Sequence, residues 1–124
     1  MRHYERLLAW RECHKLVLDV YRATERLPKF ELYGVTSQTR RAALSAAVNI
    51  VEGSAKKGPA EFRRFLDISL GSLSELSYLL RVSRELGYLD EREWQELDEL
   101  GNRARFLTWR LCQAVGRSRL TPHK

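Results

Sequence analysis

The sequence predicts an all-α protein: a single domain of 124 residues forming an antiparallel, up-down-up-down four-helix bundle. Three observations predict it. Apolar residues recur at spacings of three and four along four long stretches. Pro28, Gly34, the Gly58-Pro59 pair and Gly87 punctuate those stretches, leaving connections short enough to turn each helix back on the last. No segment alternates apolar and polar residues for long enough to be a strand, and there is no internal repeat.

The first helix is expected over residues 4–27. Leu7, Trp10, His14, Val17, Tyr21 and Thr24 form one stripe, and Leu16, Val20, Ala23 and Leu27 a second beside it. Together they make a face wider than a two-stranded coiled coil needs. Pro28 ends the helix because its ring cannot continue the hydrogen-bond ladder. Phe30, Leu32 and Tyr33 follow within a few residues and are expected to cap the end of the bundle.

Thr36 or Ser37 offers a hydroxyl N-cap for the second helix, expected over 36–57. Its alanines (Ala42, Ala43, Ala46, Ala47 and Ala55) let a neighbouring helix approach closely. Gly53 and the lysines Lys56 and Lys57 suit a helix C-terminus. Pro59 suits the first turn of the third helix, expected over 59–87. Its stripe is Phe62, Phe65, Leu66, Leu70, Leu73, Leu76, Leu80 and Leu86, and Gly87 stops it. Ser69, Gly71, Ser72, Ser74 and Ser77 are poor helix formers, so tertiary packing must hold this helix together. Asp90 with Glu93 forms a capping box for the fourth helix, expected over 90–116. Trp94, Leu97, Leu100, Ala104, Leu107, Leu111 and Val115 are its stripe, and a basic tail, 117–124, follows Gly116.

Composition narrows the function. Apolar residues are 44% and charged residues 31% of the chain, too apolar for disorder and too charged for a membrane protein. The N-terminus has no apolar signal core, and no run approaches the roughly 18 apolar residues of a membrane span, so a cytoplasmic protein is expected. Cys13 and Cys112 lie far apart with no metal-ligand spacing and read as two free, buried thiols. There is no phosphate-binding glycine loop, nucleophile elbow or paired Glu-x-x-His motif. His14 reads as a core histidine, and Trp10, Trp94 and Trp109 as core packing. Neither an enzyme nor a cofactor is expected.

Lys and Arg number 22 against 16 Asp and Glu, a net charge of +6 that suits a polyanionic partner. The surplus is uneven. Residues 36–57 carry Arg40, Arg41, Lys56 and Lys57 against Glu52 alone, and the tail carries Arg117, Arg119 and Lys124. Lys56, Lys57, Arg63 and Arg64 surround the turn into the third helix, whose N-terminus adds a positive dipole end. Such corners attract phosphates, giving salt-dependent and largely sequence-blind binding.

Gln38, Arg41, Ser45, Asn49 and Glu52 are spaced three, four, four and three apart, on one face of the second helix. Among so many apolar neighbours the row is expected to be buried, with partners on another helix or another subunit, because unpaired buried polar groups are expensive. A structural network or subunit interface and a ligand contact site both remain open readings.

The same residues carry a resemblance. The stretch VTSQTRRAALSAAVNIVEG over 35–53 is similar to the pattern TxQxRRAxxSxxxNIxEG of the small bacterial proteins encoded in intervening sequences of 23S ribosomal RNA genes. Trp10, Pro28, Glu31, the Glu61-Phe62 and Arg64-Phe65-Leu66 pairs, and Gly71-Ser72-Leu73 with Leu86-Gly87-Tyr88-Leu89 extend it along nearly the whole chain. Thr39 and Ala46-Ala47 depart from it, where Ile and Ile-Pro are common. The resemblance implies an antiparallel four-helix bundle assembling into a homo-oligomer, a pentameric ring being the form it suggests. A related type accompanies reverse transcriptases of diversity-generating retroelements, as a basic ring that binds nucleic acid and the polymerase. The expected function is therefore a non-enzymatic oligomer binding RNA or DNA. Arg40, Lys56, Lys57, Arg63, Arg64, Arg117 and Arg119 would be the phosphate contacts. The alternative is a protein-binding scaffold with an acidic partner.

Overall fold

The computed structural model describes residues 2–56 and 58–120, with side-chain surroundings as far as Gly116. Four helices run α1 (Leu8–Thr24), α2 (Val35–Ser54), α3 (Pro59–Glu85) and α4 (Glu91–Leu120). Each packs on its sequence neighbours and α4 packs back on α1, while among the described residues no close backbone approach joins the diagonal pairs. Cross-helix pairs give the directions. Gly53 meets Phe62 and Phe65 of α3, whereas Ala46 meets Ser69 and Ser45 meets Ser72. As α2 numbers fall, α3 numbers rise. Arg26 pairs with Glu93 and Cys13 with Thr108, so α1 and α4 also run antiparallel.

The core is aliphatic along the bundle axis, with Leu16, Val20, Ile50, Leu66, Leu76 and Leu80 essentially enclosed. Between α2 and α3 it is built from small groups instead. Ala42, Ala43, Ala46 and Gly53 of α2 and Ser69 and Ser72 of α3 are all buried, and the Ser69 hydroxyl donates to the Ala46 carbonyl at 2.7 Å. A Cβ on Gly53 would stand 2.9 Å from both Phe62 Cδ1 and Phe65 Cβ, so these two helices meet almost backbone to backbone. Cys13 and Cys112 are free and buried, as the sequence implied.

Several ends differ from expectation. Residues 3–6 form a separate 3₁₀ turn, because Leu7 is extended (φ −83°, ψ 124°) and α1 begins only after it. At the other end α1 stops at Thr24, whose hydroxyl turns back onto the Val20 carbonyl at 2.7 Å. The cap of α2 is neither Thr36 nor Ser37. The helix follows Gly34, and Glu31 Oε1 accepts from the Val35 amide at 3.1 Å. Glu31 Oε2 accepts from the Tyr88 hydroxyl at 2.8 Å, tying the α1–α2 connection to the α3–α4 connection. That tie, with buried Leu27 and Leu89, closes this end of the bundle. Phe30 and Tyr33, expected to do so, are 81% and 92% exposed and Leu32 is also exposed, since the tight Lys29–Glu31 turn leaves no chain to fold them inward.

Other signals hold. Pro59 opens α3. Gly87, at φ +80°, ends it in a left-handed turn that lets Tyr88 N–H reach the Ser83 carbonyl at 2.8 Å. Asp90 Oδ1 accepts from Glu93 N–H at 2.7 Å while Glu93 Oε1 accepts from Asp90 N–H at 3.1 Å, the reciprocal capping box. The fourth helix does not stop at Gly116 but continues to Leu120; the rest of the expected tail, 121–124, lies outside the described residues.

Candidate nucleic-acid interface

The bundle topology sorts the predicted cations into two groups. Arg40 stands near the start of α2, about 24 Å from Lys56 at 1.5 Å per residue. Its guanidinium lies 4.7 Å over the Tyr21 ring and its Nε donates to Thr24 Oγ1 at 2.9 Å. Arg40 therefore fastens α2 to α1 at the end where Glu31 and Tyr88 meet.

Lys56, Arg63 and Arg64 gather at the opposite end, where α2 ends and α3 begins. Phe65 is the hub: Lys56 Nζ lies 5.2 Å and Arg64 Cζ 4.7 Å from its ring centre. Arg64 also reaches Glu61 Oε1 at 3.2 Å, but both side chains are mostly solvated, so this pair neutralises little. Arg63 is half-buried against the last turns of α4, close enough that a Cβ on Gly116 would come to 2.6 Å from its Nη1. Beside it the Cys112 thiol donates to Asp67 Oδ1 at 3.5 Å, and burial, then the Asp67 carboxylate, push that thiol above its ordinary range. The final turns of α4 carry Arg117 and Arg119 to this end, although their side chains, like the whole of Lys57, lie outside the described residues.

The acids collect elsewhere. Asp90 precedes α4, Glu91, Glu93, Glu96, Asp98 and Glu99 stand in its first half, and no acidic residue follows Glu99 in the sequence. The bundle is thus polarised along its axis, with acids about the α3–α4 connection and cations about the α2–α3 connection.

The polar row of α2 is not shut away from water. Gln38, Arg41 and Glu52 are exposed, and Ser45 and Asn49 are half-buried. The buried face of α2 is the adjoining set Thr39, Ala42, Ala43, Ala46, Ile50 and Gly53, which leaves the row on the rim beside α3. Among the described residues its centre is the part that finds partners. Ser45 Oγ meets Ser72 Oγ at 2.7 Å, and Asn49 Nδ2 donates to the Ser45 carbonyl at 2.8 Å. Gln38 and Arg41, with Glu75 of α3, line an open depression of about 250 Å³. Among the described residues Arg41 and Glu52 form no salt bridge.

Two aromatic assignments also change. His14 is exposed and stacks on Trp10 at 4.8 Å rather than entering the core. Trp109 is 49% exposed and Phe106 54%. The core face of α4 is Leu97, Leu100, Ala104, Thr108 and Cys112, and Trp109 falls one position beyond it. Asn102, Arg105, Phe106 and Trp109, at spacings of three, one and three, form a second stripe facing outward beside α3. Sequence reasoning assigned Trp109 to packing. The signal for the outward stripe was the run of arginines without acids around it.

Residues 5–107 match the family model described as 23S rRNA-intervening sequence protein. The chain belongs to that family. No curated protein matches it. A solved structure with the same fold is a protein of unknown function from the S23 ribosomal protein family of Bacteroides thetaiotaomicron, 16% identical to this chain. The match covers 85% of this chain and 98% of that one, with a TM-score of 0.76. In this 23S rRNA-intervening sequence protein the signature stretch of α2 has a clear division of labour. Its alanines and Gly53 make the close contact with α3, while Gln38, Arg41 and Glu52 point to solvent. No helix of the described residues is long and apolar enough to cross a membrane.

Proposed function

We propose that this protein is a non-enzymatic homo-oligomer that binds RNA or DNA through the phosphate backbone. The observation that carries the reading is the axial separation of charge, which sets Lys56, Arg63 and Arg64 together at one end of the bundle with the arginine-bearing end of α4. A surface of that kind neutralises phosphates and releases counterions, giving affinity without sequence preference. Assembly is supported by the outer side of α2, where exposed Leu44 and Val48 lie among Arg41, Ser45 and Glu52 with no covering helix. A pentameric ring is the form we propose, and a light-scattering mass checks it.

The test is binding of a duplex and of a structured RNA at rising salt. Affinity should fall steeply, and Lys56→Ala with Arg64→Ala should each reduce the slope of log affinity against log salt by about one. Affinity that ignores salt, or no binding at low salt, overturns the reading. The scaffold alternative, with an acidic protein partner or with a polymerase, draws support from exposed Phe30, Leu32 and Tyr33. A partner that stays bound after nuclease treatment would favour it.

A further inference from the structure

We infer that the groove between α3 and α4 takes unpaired nucleotides, with bases stacked on Trp109 and Phe106 and phosphates held by Arg105 and Arg110. This deepens the nucleic-acid reading above and rests on it. It adds a second site, away from the Lys56–Arg64 corner, that is selective for single strands.

The groove is an open depression of about 370 Å³, lined by Leu70 and Ser74 of α3 and by Asn102, Arg105, Phe106 and Trp109 of α4. Its volume falls at the lower end of ordinary small-ligand sites, roughly 300–1,000 Å³. The Phe106 and Trp109 ring centres are 6.3 Å apart with planes only 28° from parallel, a loosely stacked pair of half-exposed rings beside the groove. Large aromatic rings left half in water gain by being covered, and every nucleobase has a flat face that can cover them.

Charge selects the occupant. Arg110 Cζ lies 5.7 Å over the Phe106 ring, and Arg105 opens onto the groove itself. Among the described residues neither guanidinium forms a salt bridge, in contrast to Arg103, which is spent on Glu12 at 2.8 Å. The α3 wall is uncharged where it faces the groove. Glu75 lines the depression on the α2 side instead, and Asp67 is engaged with Cys112. Asp98 accepts from Asn102 Nδ2 at 3.4 Å and lines, with Asn102 and Arg105, the small neighbouring depression rather than the groove itself. Two rings flanked by Arg105 and Arg110, beside a groove lining that holds no carboxylate, match a strand of bases and phosphates better than an apolar protein segment. Duplex bases are already stacked on one another, so an unpaired strand fits these rings and a duplex does not.

Fluorescence anisotropy with the full-length protein tests the inference. The probes are a uridine oligomer of about 16 nucleotides, the upper site size of one single-strand-binding fold, an abasic strand of equal length and charge, and a duplex. The wild type should prefer the base-bearing strand to the abasic one. Trp109→Ala should weaken the uridine oligomer by about fivefold or more, leaving abasic-strand and duplex affinity unchanged. If Trp109→Ala loses its helical circular dichroism, Phe106→Ser carries the same expectation. Equal binding of base-bearing and abasic strands, or a ring variant that binds uridine as the wild type does, overturns the groove but not the basic corner. A ring variant whose assembly falls apart in light scattering makes the groove a subunit contact and also overturns it. Failure of every nucleic acid to bind refutes the underlying reading itself.

Discussion

Replacing Gly53 by alanine tests the close α2–α3 contact on which both the fold and the basic corner depend. Two effects oppose each other. Alanine in a helix interior is favoured over glycine by up to about 1 kcal/mol. Against this, the new methyl would lie 2.9 Å from Phe65 Cβ, 2.9 Å from Phe62 Cδ1 and 3.3 Å from the Phe62 carbonyl oxygen. Comfortable carbon contacts begin near 3.5 Å, so the helices must part by about 0.6 Å. Two of the three obstructing atoms are backbone or directly attached to it, and no rotamer change moves them. Overpacking of this kind costs about 1–3 kcal/mol, so the net effect should be a loss of about 1–2 kcal/mol. Gly71 is the internal control. It is also inside a helix, but an added Cβ meets nothing within 4 Å, so Gly71→Ala should gain about 0.5–1 kcal/mol. Urea unfolding of both variants at one fixed protein concentration checks this, because assembly adds to apparent stability. A Gly53→Ala midpoint at or above the wild type would refute the close approach. A Gly71→Ala midpoint below it would mean that something covers that surface.

Burial pushes the Cys13 thiol up to about 11, so between about pH 9 and 11 the native state keeps a proton that the unfolded chain has lost. The stability this contributes is complete below that window and disappears as pH rises through it, on the order of 2–3 kcal/mol. Urea midpoints across the window should fall less for Cys13→Ala than for the wild type, and parallel declines would contradict the assignment. Asp90→Ala should cost about 1 kcal/mol by removing the acceptor of the Glu93 amide. Ser37→Ala, at a position the sequence offers as a cap, should stay within about 0.5 kcal/mol of the wild type. Thermal melts of the pair decide it, and equal losses would be the wrong result.

What could be read in advance was local chemistry. Asp90 and Glu93 are three residues apart and satisfy each other's amides, so their capping box needs nothing from the rest of the chain. Pro59 and Gly87 act through their own φ angles. The α2 cap was illegible because its acceptor, Glu31, is positioned by Tyr88, 57 residues further on. The aromatic turn was misread because apolarity alone does not say whether a chain is long enough to fold inward. The phase of α4 was misread for a related reason. Leu107, Leu111 and Val115 flank the core while Thr108 and Cys112 fill it, so a count of large apolar groups shifts the stripe by one position; Trp109 lies outside either stripe and reads as packing only from its size and apolarity. The polar row of α2 was located correctly by spacing, but its burial depended on how wide a face α3 covers.

Part of the charge gradient of α4, that of its terminal turns, needs no partner to explain it. Acids in the first turns and cations in the last are what the helix dipole favours, each contributing about 0.3–1 kcal/mol within the terminal turn. Arg63 has a similar local use, since it lies against the C-terminal end of α4. The weight of the nucleic-acid reading therefore falls on Lys56 and Arg64. Arg64 stands on the N-terminal side of α3, where the dipole opposes a cation, and its acidic partner among the described residues, Glu61, is solvated. Both cations sit over Phe65, the ring whose Cβ abuts Gly53. The small residues of the α2 signature thus bring α3 near enough to hold Phe65 in place, and Phe65 holds both cations against its ring at the exposed corner. A family stretch whose inner face is spent on close packing fixes, through one ring, the spacing of the charges that would meet phosphates.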